Sequence, residues 1–344
     1  MTTTPATTPT TTAAATAPPA RPPGLPAPAG PRTPSPLREL WANRWLQGFL
    51  VVWAAAVAYI ALADRSVLPL SDQEPWAYFS GVLGAAASLA VLFRLARGTA
   101  PVDSRNGPAF RDPARETAGL LVWMALVLAV GSLFDIRTHI AFVGLAEGPQ
   151  EMWAGETARS TLVWAAYNFV GLAVLPYLFF RYRLGYTPAS MLLRFPRPRI
   201  WLPYFLVIGT LGFVFAITPE YTSTPLSAHL LTLVLFTVGS FLPIMITTQS
   251  LLTPRLAHLT GSWVTGAVLS AIAYAALNVT EAFLAWGTGA QVLLSLAWFM
   301  QVAFWGLVKA ITTLRTGNAW LHIATTHTIH LVEAPAVAAT FSIR

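Results

Sequence analysis

Apolar residues in this chain come in long blocks rather than at the alternating period of a strand. Nine such blocks follow one another, at about 45–63, 76–94, 117–134, 161–180, 200–218, 228–251, 264–285, 289–310 and 319–340. Each approaches the roughly 20 residues that a helix needs to cross a bilayer. Lipid offers no partner to a free N–H or C=O, so a crossing segment must satisfy its own backbone, as a helix does. The pattern predicts an all-α polytopic integral membrane bundle of about nine transmembrane helices. Residues 1–36 are almost entirely Thr, Ala and Pro. Such a segment lacks the apolar side chains that would offset its ordering entropy and is expected to be a disordered tail. It is not a secretory signal, because the first apolar block is too long and no small-residue cleavage pattern follows it.

The loops between the blocks alternate in charge. Arg38 and Arg44 precede the first span. Arg94, Arg97, Arg105, Arg111 and Arg115 fill the second loop, and Arg181, Arg183, Arg194, Arg197 and Arg199 the fourth. Arg255 marks the sixth, and Lys309 and Arg315 the eighth. The intervening loops carry Asp64, Asp72, Glu74, Asp135, Glu147, Glu151, Glu156 and Glu220. Basic loops stay on the cytoplasmic side. The expectation is a multi-pass protein of the cell (inner or plasma) membrane with a cytoplasmic amino terminus and membrane lipids as its first partners. Composition agrees: of 344 residues, 55% are hydrophobic and only 10% charged, far below the roughly 25% of a soluble domain. The net charge of +7 resides in these topology signals, which excludes a nucleic-acid partner. With no cysteine, disulfides, thiolate metal sites and cysteine nucleophiles are excluded as well.

Polar residues inside the blocks change the picture next, because ionisable groups at membrane depth are costly and face a bundle interior or a cavity. They gather in the last third. His327, His330 and Glu333 follow at three-residue steps, which puts them roughly on one helical face, and Asn278 and Glu281 repeat that spacing on an earlier helix. The candidate site residues are therefore His330, His327, Glu281, Glu333 and Asn278. Two histidines and two carboxylates can bind zinc, but no His-Glu-x-x-His signature is present, so metal binding stays open and no cofactor is expected. A hydrogen-bond network tying helices together is the structural alternative. Tyr167, Asn168 and Tyr177 also put polar atoms into a span, with no motif around them. The loop at 135–160 is long and acidic. Pro176, Pro203, Pro219 and Pro243 lie in or at the ends of spans, where they kink helices or free carbonyls.

Arg315-Thr-Gly-Asn-Ala-Trp320-Leu resembles the Thr-Gly-(Ser/Asn)-x-Trp turn before the last motif helix of the CPBP family (CAAX protease and bacteriocin-processing, also called Abi) of intramembrane proteases. Leu251-Leu-Thr-Pro-Arg-Leu-Ala-His-Leu-Thr-Gly261 resembles the amphipathic segment after that family's first motif, and Phe304-Trp-Gly-Leu-Val its glycine-containing helix. The resemblance covers the last third of the chain and implies a division into a tail (1–36), amino-terminal transmembrane helices (37–227) and a CPBP-like core (228–344). The catalytic positions depart from the family pattern. Ile244, Met245 and Gln249 stand where the resemblance places Glu, Glu and Arg, and Tyr274 and Asn278 stand for Phe and His. His330 falls on the family's asparagine. An isoleucine and a methionine accept no proton and hold no oxyanion. The expected function is a CPBP-like membrane protein without glutamic-protease activity that binds a hydrophobic or peptide partner in the bundle as a scaffold or regulator. The alternative is a membrane enzyme on a lipidic or peptide substrate, using His330 or His327 with Glu281 and Glu333. The segment 252–263 is expected to be amphipathic or re-entrant.

Overall fold

The computed structural model describes residues 35–63, 75–138, 156–195, 198–216, 219–280, 287–323 and 333–343, with the backbone alone for 63, 75–81, 209, 211–216 and 219. Among these, every regular element is helical. The helices are α1 (Pro36–Ala42), α2 (Arg44–Ala63), α3 (Pro75–Leu95), α4 (Pro113–Leu133), α5 (Ala158–Arg183), α6 (Pro198–Ala216), α7 (Pro219–Ser223), α8 (Leu226–Thr260), α9 (Trp263–Ala276), α10 (Gly289–Thr316) and α11 (Ala334–Thr340). Five of them (α2, α4, α5, α8 and α10) are long and apolar enough to cross a membrane. Shorter apolar helices occupy Val82–Leu95, Pro198–Ile208 and Trp263–Ala276. Among the described residues the protein is an all-helical membrane protein, and seven of the first eight expected spans coincide with a helix; of the seventh, 264–285, the helix covers residues to Ala276, and 281–285 lies outside the described residues. Of the ninth, Ala319–Leu321 and α11 are helical, and 324–332 lies outside the described residues. Most of the expected tail, residues 1–34, does too.

Burial ranks the helices. The apolar windows of α8 and α10 are each 61% buried, against 22% for α2, so α8 and α10 form the centre. Helix α9 packs between them through small residues. A Cβ on Gly306 of α10 would stand 2.7 Å from Tyr274 Cδ1, and one on Gly266 of α9 only 2.4 Å from Ala257 Cα. Close backbone approach of this kind is how helices associate where lipid removes the hydrophobic drive.

Helix α8 runs 35 residues without a break, about 52 Å at 1.5 Å per residue, so it outruns a hydrocarbon core of about 30 Å. The stretch expected to re-enter the membrane is the continuation of α8 through Pro254. Leu251, Leu252 and Leu256 are buried there, while Leu259 is exposed. Gly261, at φ +64°, ends the helix in a left-handed conformation that a side chain resists.

Prolines leave their mark inside α5 and α8, where the helix widens to π geometry at Phe169–Val174, Phe179–Arg183, Thr237–Phe241 and Met245–Leu252. Pro176 has no N–H to offer the carbonyls of Leu172 or Gly171, one turn back. Both carbonyls find side chains instead. Trp123 Nε1 of α4 donates to Gly171 O at 2.7 Å, and Thr247 Oγ1 of α8 donates to Leu172 O. The defect in α5 thereby joins three helices.

The loops read as basic meet at one end of the bundle. Val102 N donates to Leu314 O at 2.8 Å, Asn318 Nδ2 to Arg194 O at 2.5 Å, and Trp263 Nε1 to Glu39 Oε2 at 2.7 Å. Alternate loops thus share a side, as their charges require.

Candidate functional site

Polar groups in the centre radiate from one stretch of α8. Thr247, Thr248, Gln249, Ser250 and Thr253 are all fully buried. Thr247 reaches α5, as described. Gln249 Oε1 accepts from Thr313 Oγ1 of α10 at 3.1 Å, and its Nε2 donates to Thr248 Oγ1 at 3.2 Å. Ser250 Oγ donates to Met191 O at 2.5 Å, and Thr253 Oγ1 shares a 2.5 Å hydrogen bond with Ser270 Oγ of α9. Short hydroxyl side chains suit this role because they lose little rotamer entropy. Thr247, Gln249, Ser250 and Thr253 each bond a different neighbour, which makes the stretch a hub.

Of the positions that the resemblance marks as catalytic, Gln249 lies in this hub, and Ile244 and Met245 precede it in α8. Ile244 and Met245 are buried, and an apolar cavity of about 340 Å³ lies beside Met245, Ile246 and Trp320. Tyr274 accepts a 2.8 Å hydrogen bond from Lys309 Nζ. Lys309 is 1% exposed within α10, which corrects its reading as a loop residue. Its helix extends six residues past the expected end of the eighth span, to Thr316.

Asn278 is buried and spends its Nδ2 on Tyr274 O, 3.1 Å away in its own helical turn. Glu333 is fully buried at the start of α11. Glu281, His327 and His330 lie outside the described residues. His322 is fully buried, with Nδ1 2.7 Å from Ala319 O. Among the described residues no three His, Asp or Glu side chains gather as metal ligands.

Compared with protein-family models, with curated proteins and with solved structures, the chain matches none. Geometry alone carries the reading of the site.

The Arg315–Trp320 turn that prompts the family resemblance has a structural task at every residue. Arg315 donates to Ala96 O at 2.6 Å and to Thr99 O. Gly317 sits at φ +65°, the left-handed cap that ends α10. Asn318 Oδ1 receives Trp320 N at 2.9 Å, and Trp320 Nε1 donates to Leu193 O at 3.1 Å.

Sequence reasoning missed the strongest electrostatic feature. Arg255 of α8 and Glu116 of α4 form a buried ion pair, Nε to Oε2 at 2.7 Å, with side chains 0% and 6% exposed. Tyr186 donates to Glu116 Oε1 at 2.6 Å, and Arg255 also donates to Leu251 O at 2.8 Å. Burial and this bond to Glu116 push the Tyr186 hydroxyl pKa up, so it remains a donor. The guanidinium lies 4.5 Å from the Phe110 ring centre and 4.4 Å from that of Phe180, geometry that favours a desolvated cation. Both charges fall at the ends of apolar blocks, where they read as loop signals. Only their fully buried pairing identifies them.

Beside this pair, a groove of about 770 Å³ opens between α4 and α5. Its walls include Leu120, Trp123, Leu175 and Phe179, and its rim carries Arg111, Asp112, Arg115 and Glu116.

Proposed function

We propose that the chain is a non-proteolytic membrane scaffold with a CPBP-like core, which binds the apolar part of a lipidic or peptide partner. The groove between α4 and α5 is the observation that carries this reading. Its volume of about 770 Å³ falls in the range of small-ligand sites, and apolar walls with a few polar groups at one end are their usual make-up. Proteolysis is disfavoured by the buried Ile244 and Met245 and by the apolar cavity beside them. We place the protein in the cell membrane with the amino terminus and the basic end in the cytoplasm, on the strength of the loop charges.

Gly119 supplies the test. It lines the groove, and a Cβ there meets nothing within 4 Å, so Gly119→Phe has open space at its first carbon from which to occupy the groove. Photo-crosslinking of a diazirine-bearing fatty acyl probe should label peptides of α4 and α5 in the parent protein and drop several-fold in G119F at unchanged thermal stability. Equal labelling in both proteins would refute the reading.

A second reading, a membrane enzyme with acid–base chemistry at His330 or His327 beside Glu281 and Glu333, draws support from the full burial of Glu333 and His322. Such groups are rarely kept at depth without a task. His330→Ala would then abolish turnover of an isoprenoid or acyl-peptide substrate while leaving stability unchanged.

A further inference from the structure

At the end of the bundle opposite the basic loops, a second pocket of different character lies between the last turn of α4 and the first turns of α5. It measures about 330 Å³, and its wall includes Asp135, Arg137, Glu156 and Arg159. The turn that shapes it is tightly built. Ile136 N donates to Gly131 O at 2.8 Å, Asp135 adopts φ +53°, and a Cβ on Gly131 would stand 2.7 Å from Ile136 O. On the other side, a reciprocal cap between Thr157 and Ser160 starts α5, and Ser160 donates to Glu156 Oε2 at 2.6 Å. Carboxylates and guanidiniums therefore face one small space from two fixed elements.

Polar atoms without an intramolecular partner surround the same space. Thr161 and Trp164 line it at 1% and 5% exposure, and neither Thr161 Oγ1 nor Trp164 Nε1 has a hydrogen-bond partner. Thr138 Oγ1, on the α4 side, and Asn168 Oδ1, one turn deeper on α5, are buried and unpartnered as well. The amide orientation of Asn168 is fixed, because its Nδ2 serves two carbonyls, Arg137 O and Trp164 O, each at 2.9 Å. Its oxygen is left as an acceptor, while the Trp164 indole can only donate. Buried polar groups are nearly always paired, so the two unpaired ones in the pocket wall, Thr161 Oγ1 and Trp164 Nε1, point to an occupant that pairs them.

We propose that this pocket binds a small zwitterion of the α-amino-acid class. An ammonium finds Asp135 and Glu156. A carboxylate finds Arg159 and the Trp164 N–H, and the Thr161 hydroxyl serves either end. A singly charged ligand would leave one set of walls facing a solvated ion of its own sign or nothing at all. The site is separate from the groove and does not depend on what fills it.

The test is equilibrium binding of free L-amino acids to the full chain in nanodiscs, with glycine, L-alanine, L-leucine, L-glutamate and L-lysine as probes. Acetate and methylammonium serve as half-ligands. At least one amino acid should bind, and both half-ligands should bind roughly tenfold to a hundredfold more weakly, the loss expected when charge-assisted bonds are removed. Arg159→Gln, on an exposed side chain, should weaken binding by a similar factor with thermal unfolding unchanged. Thr161→Val should weaken it without altering the preference for zwitterions. Absence of binding by every amino acid, equal binding of acetate, or full binding in R159Q would each overturn the proposal.

Discussion

The pairing of Arg255 with Glu116 makes a quantitative prediction. Removing either partner strands a charge in a site that water does not reach, since the two side chains are 0% and 6% exposed. Loss of one member of a buried pair costs about 3–5 kcal/mol. Glu116→Ala should fall near the lower end, about 3 kcal/mol, because the aromatic faces of Phe110 and Phe180 still favour a desolvated cation. Arg255→Met should cost at least as much, since the Glu116 carboxylate then loses its cation and keeps only the Tyr186 hydroxyl and the Asp112 N–H. The double replacement Glu116→Leu with Arg255→Met should recover most of the loss, because well-packed apolar pairs commonly equal a buried ion pair in stability. The assay is reversible unfolding in mixed detergent–dodecyl sulfate micelles, followed by tryptophan fluorescence, with the four proteins forming a double-mutant cycle. Single losses below about 1 kcal/mol, the range of an exposed pair, would refute the burial argument. A double variant as poor as the sum of the singles would refute the coupling.

Three further outcomes are expected. Thr247→Val should cost about 1 kcal/mol by leaving Leu172 O without its side-chain donor, and the cost should shrink in a Pro176→Ala background, read from the same micelle unfolding. Gly306→Leu should destabilise by 1 to 3 kcal/mol or more, roughly the range of overpacking, because the first added carbon already stands 2.7 Å from Tyr274; unchanged stability would show that α9 and α10 can part freely. Asp103 carries a pH dependence. Burial raises its pKa, but hydrogen bonds from the Arg105 guanidinium and from the Arg105 and Asn106 amides outweigh this and hold the carboxyl below its ordinary value. A depressed carboxylate contributes stability that is complete above the unfolded value of about 4 and is lost as pH falls through the folded one. Asp103→Asn should therefore melt lower than the parent at neutral pH, and the difference should vanish in acid.

The helices were legible because hydropathy and length suffice to place a membrane span, and the blocks at 45–63 and 117–134 meet α2 and α4 within a few residues. Ends were less legible. Polar residues such as Thr253, Arg255 and Lys309 read as loop, yet α8 and α10 continue through them, since a charge that finds a partner inside the bundle need not end a helix. That partner is set by distant chain: Glu116 is 139 positions from Arg255, and Tyr274 is 35 from Lys309. No local pattern encodes such pairs. The Thr247–Thr253 stretch shows the same limit. The resemblance marked Gln249 there as a lost catalytic position, whereas Gln249, Thr247 and Thr253 make the bonds that hold α10, α5 and α9 to α8. At the opposite end, Asn168 stood out as a polar residue in a span, but only the fold shows its oxygen unpaired beside a pocket.

The widened turns in α5 also fix the rotational phase of that helix. An α-helix advances about 100° per residue, and a π turn behaves as one residue inserted into it. Gly171 and Leu172, in the first widened turn, face Trp123 and Thr247, and Phe180, in the second, lies over Arg255. Deleting one residue between them would let the helix regularise, yet it would swing Phe180 about a quarter turn off the guanidinium. Length in this helix is therefore quantised: the protein should tolerate substitutions along 173–179 far better than the loss of a single residue there.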